Sequence, residues 1–337
     1  MKKAKQIKPA SYAGDAYRTA DCRYVNHGQV AVNYSPAHQS AHYSGLVTCG
    51  SVWACPVCAA VIQERRRVEI EQGMAWAKAE GLAVVMVTFT FPHKAWQKLQ
   101  ELLDKQADAF KRLRKGRPWD AMKAKAGLEG LIRSLEVTHG QNGWHPHTHE
   151  LWFLKGSPEV LASSLPVLWL NACAAAGLVD RKDQELVKAF MEHGVDVKEN
   201  VEVGDYLAKQ DDSRSWGLSH EMAKATSKAG RAKGVHPHHF LIRKADGDEE
   251  RYIEYVDAMK GKRQLFWSPG LKKRAAVNEL TDEELAEESR EDSYVLGMLT
   301  PEDWEVVRGN DARAELLDAA EDGGWAAVKL LLEALRL

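Results

Sequence analysis

The chain has 337 residues and a formal net charge of −2, with 45% hydrophobic and 28% charged residues. That is the composition of an ordinary folded domain, not of a disordered, collagenous or disulfide-framework chain. No apolar run reaches the roughly 18 residues of a membrane span, and the basic residues 1–8 are not followed by the apolar stretch of a secretory signal, so a cytoplasmic protein with no membrane partner is expected.

The small net charge hides an asymmetry. Residues 276–337 hold 17 Asp and Glu against 5 Lys and Arg, a net of −12, which leaves +10 on residues 1–275. A basic body suits a partner with a phosphate backbone. The acidic tail either competes for that surface or keeps the chain in solution.

Residues 1–48 are rich in Tyr, His, Asn and Ser without sustained periodicity and read as irregular. Of five cysteines, Cys49, Cys55 and Cys58 fall within ten residues. The Cys55-Pro56-Val57-Cys58 spacing is that of two thiolates on one tetrahedral zinc, with Cys49 a third ligand. Cys22 is the first choice for the fourth, with His27, His38 and His42 as alternatives. A metal-free cluster of buried thiols and a redox pair are the competing readings, although no βαβ pattern surrounds the motif.

A helical pattern over 61–80 carries Arg65, Arg66 and Arg67, which form either a solvated face or a phosphate grip. Residues 82–91 alternate like a strand and stop at Pro92. Residues 94–115 read as an amphipathic helix with a basic end at Lys111, Arg112 and Arg114. A strand over 130–138 contains Glu136. The Gly/Asn-rich turn at 139–143 then leads to a strand bearing His145, His147 and His149, which a two-residue period places on one face. An antiparallel hairpin would bring Glu136 to that face, giving a two-His-plus-carboxylate site with coordination positions left open.

Helices are expected over 158–177, with Cys173 as a small buried thiol, and over 182–192, followed by a short strand at 195–198. If 201–209 is helical, Glu202, Tyr206 and Lys209 line one face at i, i+4 and i+7. A cation such as Lys209 stabilises a tyrosine phenolate, and a carboxylate such as Glu202 takes a proton. Asp205 is a rival carboxylate, about 100° around the helix from the tyrosine. A second His-x-His, in His236-Pro237-His238-His239, has no upstream strand with a carboxylate. Surface histidines, phosphate contacts and a second metal site are its three readings. Residues 279–337 show helical patterns at 281–290, 301–321 and 325–337.

These stretches resemble the replication initiators of rolling-circle plasmids within the His-hydrophobe-His (HUH) endonuclease superfamily, single-tyrosine type with a companion glutamate. The matching sequences are C-G-S-V-W-A-C-P-V-C at 49–58, V-T-F-T-F-P-H at 87–93, H-P-H-T-H at 145–149, E-x-x-x-Y-x-x-K at 202–209 and L-F-W-S-P-G-L-K at 265–272. Thr148 departs from the pattern, standing where the superfamily has a bulky hydrophobe.

The resemblance implies an α+β fold with a central antiparallel sheet (HUH/RRM-like) flanked by helices. It would comprise a zinc-knuckle-like module at 1–60, a nicking and origin-binding domain at 61–275 and an acidic α-helical region at 276–337. It further implies His147 and His149 as paired ligands of Mg²⁺ or Mn²⁺ with Glu136 as third, a structural Zn²⁺ at the cysteines, and Tyr206 as nucleophile. Lys209 would lie beside the scissile phosphate, Glu202 would position the water that ends replication, and His145 would touch DNA. The expected partner is origin DNA, with a host helicase and a second copy of the chain as further partners. A relaxase or transposase of the same superfamily is the alternative within this chemistry, and a non-catalytic zinc-containing DNA-binding regulator the alternative outside it.

Overall fold

The computed structural model describes residues 18–199, 201, 234–243, 245–287 and 293–337. In chain order its principal elements are β1 (Asn26–Ser35), β2 (Ser40–Leu46), α1 (Pro56–Ala79), β3 (Ala83–Phe89), α2 (Leu99–Leu113), α3 (Arg117–Ala126), β4 (Leu128–Gly140), β5 (Gly143–Leu154), α4 (Glu159–Ala175) and α5 (Gln184–His193). There follow β6 (Val195–Lys198), α6 (Asp248–Met259), β7 (Leu265–Trp267), α7 (Asp282–Glu287), β8 (Tyr294–Leu299), α8 (Pro301–Gly309) and α9 (Arg313–Leu335). The chain divides into two compact units: Met1–Ile62 with Leu280–Leu337, and Gln63–Glu279.

The first unit contains a three-stranded antiparallel sheet in the order β2-β1-β8. Val30 and Val32 of β1 and Leu299 of β8 pack with Trp304, Val307, Leu316 and Leu332 of α8 and α9. Two sequence expectations are corrected here. The 1–48 segment is not irregular throughout, because β1 and β2 form a hairpin. The C-terminal region is not wholly helical, because β8 pairs with β1. Thr300 then caps α8 in a reciprocal capping box with Asp303.

The second unit is built on a five-stranded sheet in the order β6-β3-β5-β4-β7, with every adjacent pair antiparallel. The expected α+β architecture with a central antiparallel sheet is therefore what the chain adopts. β3 forms because Ala-Val-Val-Met-Val-Thr-Phe is rich in β-branched residues, and it is buried between β5 and β6. The β4–β5 hairpin closes with Gly140 opposite Gly143. Gly143 takes φ +81°, and a Cβ there would lie 2.8 Å from the Ala95 Cα, so both its backbone conformation and its close neighbour require glycine.

Period-two alternation gives the sheet two different faces. On one, Met86, Ile132, Leu151 and Phe153 are covered by Ile70, Met74 and Ala77 of α1. Gly73 lets the Trp267 ring approach that helix, since a Cβ would meet the ring at 2.8 Å. On the other, Phe89 packs edge-on against Phe110 of α2 and Trp169 of α4, while Trp119 of α3 meets Trp152. The single helix expected over 94–115 is shorter, α2, and Gly116 at φ +85° separates it from α3. Among the described residues no helix is long and apolar enough to cross a membrane.

Candidate metal centres

The hairpin register decides what the histidine strand can do. Counting back from the Gly140–Gly143 closure, Glu136 stands opposite His147, Ser134 opposite His149, and Thr138 opposite His145. Directly opposed residues share a face. The Glu136 Oε2 lies 3.2 Å from His147 Nε2 and 3.5 Å from His149 Nε2. All three donor atoms fall within 4.8 Å of one another. Donors on adjacent octahedral positions about 2.1 Å from an ion lie about 3 Å apart, so the set fits one face of a divalent cation. This is a two-His-one-carboxylate arrangement, which leaves the remaining positions open.

Supporting contacts aim both rings. The His147 Nδ1 donates to the backbone carbonyl of His145 at 3.3 Å, which leaves Nε2 as the lone-pair nitrogen of a neutral ring. The His149 Nδ1 is 2.9 Å from the Thr88 hydroxyl on the neighbouring strand, where Thr88 pairs directly with His149. Burial alone would raise the Glu136 carboxyl. With no ion between them, hydrogen bonds donated by the His147 and His149 rings to the carboxylate, and the rings' positive charge when protonated, outweigh it and hold the group well below the ordinary carboxylate range. Two lone pairs and a carboxylate converging on one point are mutually repulsive unless a cation or a proton lies between them. The donor chemistry therefore matches a metal.

His145 is on the same face but outside this donor set. Its ring stacks on His147 at a centroid separation of 4.9 Å, and its Nδ1 is 2.8 Å from His93 Nε2. The His93 Nδ1 donates to the Asn142 carbonyl at 2.8 Å, so in the neutral ring Nε2 accepts and His145 donates to it. Burial, followed by the nearby His147 and His93, pushes His145 down to about 3. Sequence reasoning assigned no role to Thr88 or His93. Both lie in the 87–93 stretch singled out as a motif, which was the available signal.

The cysteines form the second group. Cys22, Cys49, Cys55 and Cys58 are all buried free thiols, with Sγ atoms within 4.8 Å of one another. The Cys22–Cys58, Cys22–Cys55 and Cys49–Cys58 separations are 3.4, 3.6 and 3.7 Å. A disulfide would bring two sulfurs to about 2.0 Å, whereas four thiolates about 2.3 Å from a tetrahedral zinc stand about 3.8 Å apart. Pro56 opens α1, so Cys55 precedes the helix and Cys58 lies in its first turn, its backbone N–H directed at the Cys55 sulfur at 3.5 Å. Hydrogen bonds from Cys22, Cys49 and Cys55 hold the Cys58 thiol far below its usual range, while Cys49 and Cys55 are pushed up. Of the candidates for fourth ligand, the structure brings in Cys22 and not His27, His38 or His42.

The basic residues are placed differently from the metal donors. Arg66 pairs with Glu69 at 2.8 Å, and Arg67 pairs with Glu64 at 2.8 Å and with Glu71. Arg65 lies on the same helix, α1. Arg112 pairs with Asp108 at 2.7 Å, and Arg114 pairs with the fully buried Glu150, which also accepts from Trp152 Nε1. Glu150 adjoins His149 in β5 and points to the opposite face, so Lys111, Arg112 and Arg114 of α2 lie on the side of the sheet away from the Glu-His-His set. The His236 and His238 rings meet edge to face with centroids 4.7 Å apart, beside Tyr255, and among the described residues they complete no group of three donors. Tyr206, Glu202, Lys209 and Asp205 lie outside the described residues.

Residues 46–158 match the family model of a replication protein. The match takes in β3, the β4–β5 hairpin, Glu136, His147, His149 and three of the four cysteines, and it bears out the resemblance to plasmid replication initiators. The chain is similar to Protein rep of Streptomyces lividans, 29% identical over 298 residues, which cover 69% of this chain and 65% of that protein. It is also similar to the neomycin resistance protein of Streptomyces cyanogenus, 32% identical over 141 residues, covering 34% of this chain and 32% of that one. The chain thus spans less than two thirds of the length of either relative. No solved structure matches it.

Proposed function

We propose that the protein initiates plasmid replication by the rolling-circle route, cutting one strand of a double-strand origin. The observation that carries the reading is the Glu136-His147-His149 set on one sheet face, inside the segment that matches a replication protein. A divalent cation there, Mg²⁺ or Mn²⁺, supplies charge neutralisation to a scissile phosphate. The His145 carbonyl holds His147 in the tautomer that presents Nε2, and the Thr88 hydroxyl can accept from His149 Nδ1 when that ring takes the same tautomer.

The chain supplies the nucleophile from the tyrosine segment. The Tyr206 Oη attacks phosphorus, the bond from phosphorus to the 3′ oxygen breaks, and the products are a 5′-phosphotyrosine and a free 3′-OH that primes synthesis. Lys209 stabilises the phenolate, and Glu202 orients the water that ends replication by hydrolysis.

The test incubates the protein with Mn²⁺ and single-stranded origin DNA and resolves the products on a denaturing gel. A covalent adduct that vanishes in Tyr206→Phe is expected; an adduct of undiminished yield in that variant refutes the reading. For the cysteine cluster we propose a structural Zn²⁺. Elemental analysis should find one zinc per chain in the purified protein and none in Cys58→Ser, with a lower Tm for the variant.

A further inference from the structure

Trp96 is the most exposed aromatic side chain among the described residues, with 73% of its surface open to water. Tryptophan is highly buried on average, and its ring offers up to about 250 Å² of contact area. A single exposed apolar residue needs no explanation by itself. The support beneath this one is what gives it meaning.

Trp96 sits in the turn between β3 and α2, and three contacts fix that turn. The His93 Nδ1 donates to the Asn142 carbonyl at the hairpin tip at 2.8 Å. The Ala95 backbone lies so close to Gly143 that no Cβ fits between them. The Lys94 N–H donates to the Gln97 side chain at 2.7 Å, and the Gln97 N–H returns to the Lys94 carbonyl at 3.0 Å. The ring is therefore presented from a preorganised base, which lowers the entropy cost of binding to it. The same anchor reaches the metal donors in two steps, because His93 bonds His145 and His145 stacks on His147. Lys94 and Lys98 stand two residues to either side of Trp96 in sequence, and both are exposed. Lys98 stands 3.6 Å from Glu254, a surface pair that leaves its side chain 76% open.

An exposed indole between two lysines, beside a phosphate-handling centre, has the components of a single-strand platform: a flat π surface for a base and cations for the backbone on either side. We propose that Trp96 stacks on an unpaired nucleobase of the DNA strand entering the Glu136-His147-His149 site, with Lys94 and Lys98 along its phosphates. Duplex DNA offers no free base face, so the platform discriminates melted from paired DNA. The assignment rests on the reading of DNA as substrate, but not on the nicking chemistry.

The test measures fluorescence anisotropy of a labelled single-stranded oligonucleotide, without divalent metal, against full-length wild type, Trp96→Ala, Trp96→Phe and Trp96→Leu. Removing one base–aromatic stack weakens affinity by about 5- to 150-fold. That loss is expected for the Ala and Leu variants, with most of the affinity kept by Phe and equal duplex binding by all four. Unchanged single-strand affinity in Trp96→Ala overturns the platform while leaving the nicking reading intact. Equal losses for Phe and Leu overturn it as well, since an aromatic surface would then not be what is recognised. Trp96-dependent binding in a protein that forms no adduct supports the platform and removes the nicking reading. A wild type that binds no single strand removes both.

Discussion

Thr88 gives the sharpest probe of the Glu-His-His centre because it touches one ligand and no ion. Its hydroxyl is 2.9 Å from His149 Nδ1, and the residue is 9% exposed. For His149 to present a lone pair on Nε2, the ring proton must sit on Nδ1, and the Thr88 oxygen is its acceptor. Valine keeps the β-branched shape but removes that acceptor. The ring then either leaves a buried N–H unpaired, at a cost of about 1–3 kcal/mol, or shifts its proton to Nε2 and loses the ability to coordinate there. Loss of a partner behind a histidine ligand typically weakens metal binding about 10- to 100-fold, equivalent to about 1.4–2.8 kcal/mol. Calorimetric titration with Mn²⁺ should show that drop in Thr88→Val and recovery in Thr88→Ser, with far-UV circular dichroism unchanged in both. Equal Mn²⁺ affinity in wild type and Thr88→Val would show that His149 does not bind through a tautomer held by Thr88.

Two further outcomes follow from the same sheet. In protein stripped of metal, the depressed Glu136 carboxyl stabilises the fold above its ordinary pKa of 4.5 and loses that contribution as pH falls towards its folded value. Glu136→Gln should therefore be less stable than wild type in urea at pH 7, with the gap narrowing below about pH 4.5; a gap that widens on acidification contradicts the assignment. On the opposite face, Arg114→Ala removes the ion-pair partner of the fully buried Glu150, leaving it the Trp152 N–H and Arg133 across the strand, and should cost about 3 kcal/mol in denaturant unfolding. Adding Glu150→Gln should recover part of that loss, and a cost below about 1 kcal/mol would mean that water reaches the carboxylate.

How much of this was legible in the sequence depends on how far apart the interacting residues are. The Glu136–His147 pairing could be read because a short Gly-rich turn fixes an antiparallel register, after which each step back along one strand matches a step along the other. The four-cysteine cluster was legible for three members from spacing, whereas Cys22 was only the first choice among four candidates until the fold brought it in. Thr88 could not be assigned, because its bond to His149 exists only once β3 is placed beside β5. Arg114 looked like part of a basic helix end. Its buried partner lies 36 residues away on another element, and nothing local to a Lys/Arg-rich stretch distinguishes a solvated cation from one neutralising the core. β1 and β2 escaped detection because Tyr, His, Asn and Ser alternate without a marked apolar period. β8 escaped because its partner is most of the chain away.

That distant pairing of β1 with β8 sets a order of assembly. The second unit is one continuous stretch and can close its sheet as soon as β7 has been made. The first unit must wait, since the strand that completes its sheet and the helices that cover Val30 and Val32 are made only after the whole second unit. Until then β1 offers an unpaired edge, the kind of surface on which chains aggregate. Early release from the ribosome, by a premature stop upstream of β8, should therefore yield a chain whose sheet around Glu136 is intact but whose amino-terminal hairpin is a target for proteases and chaperones.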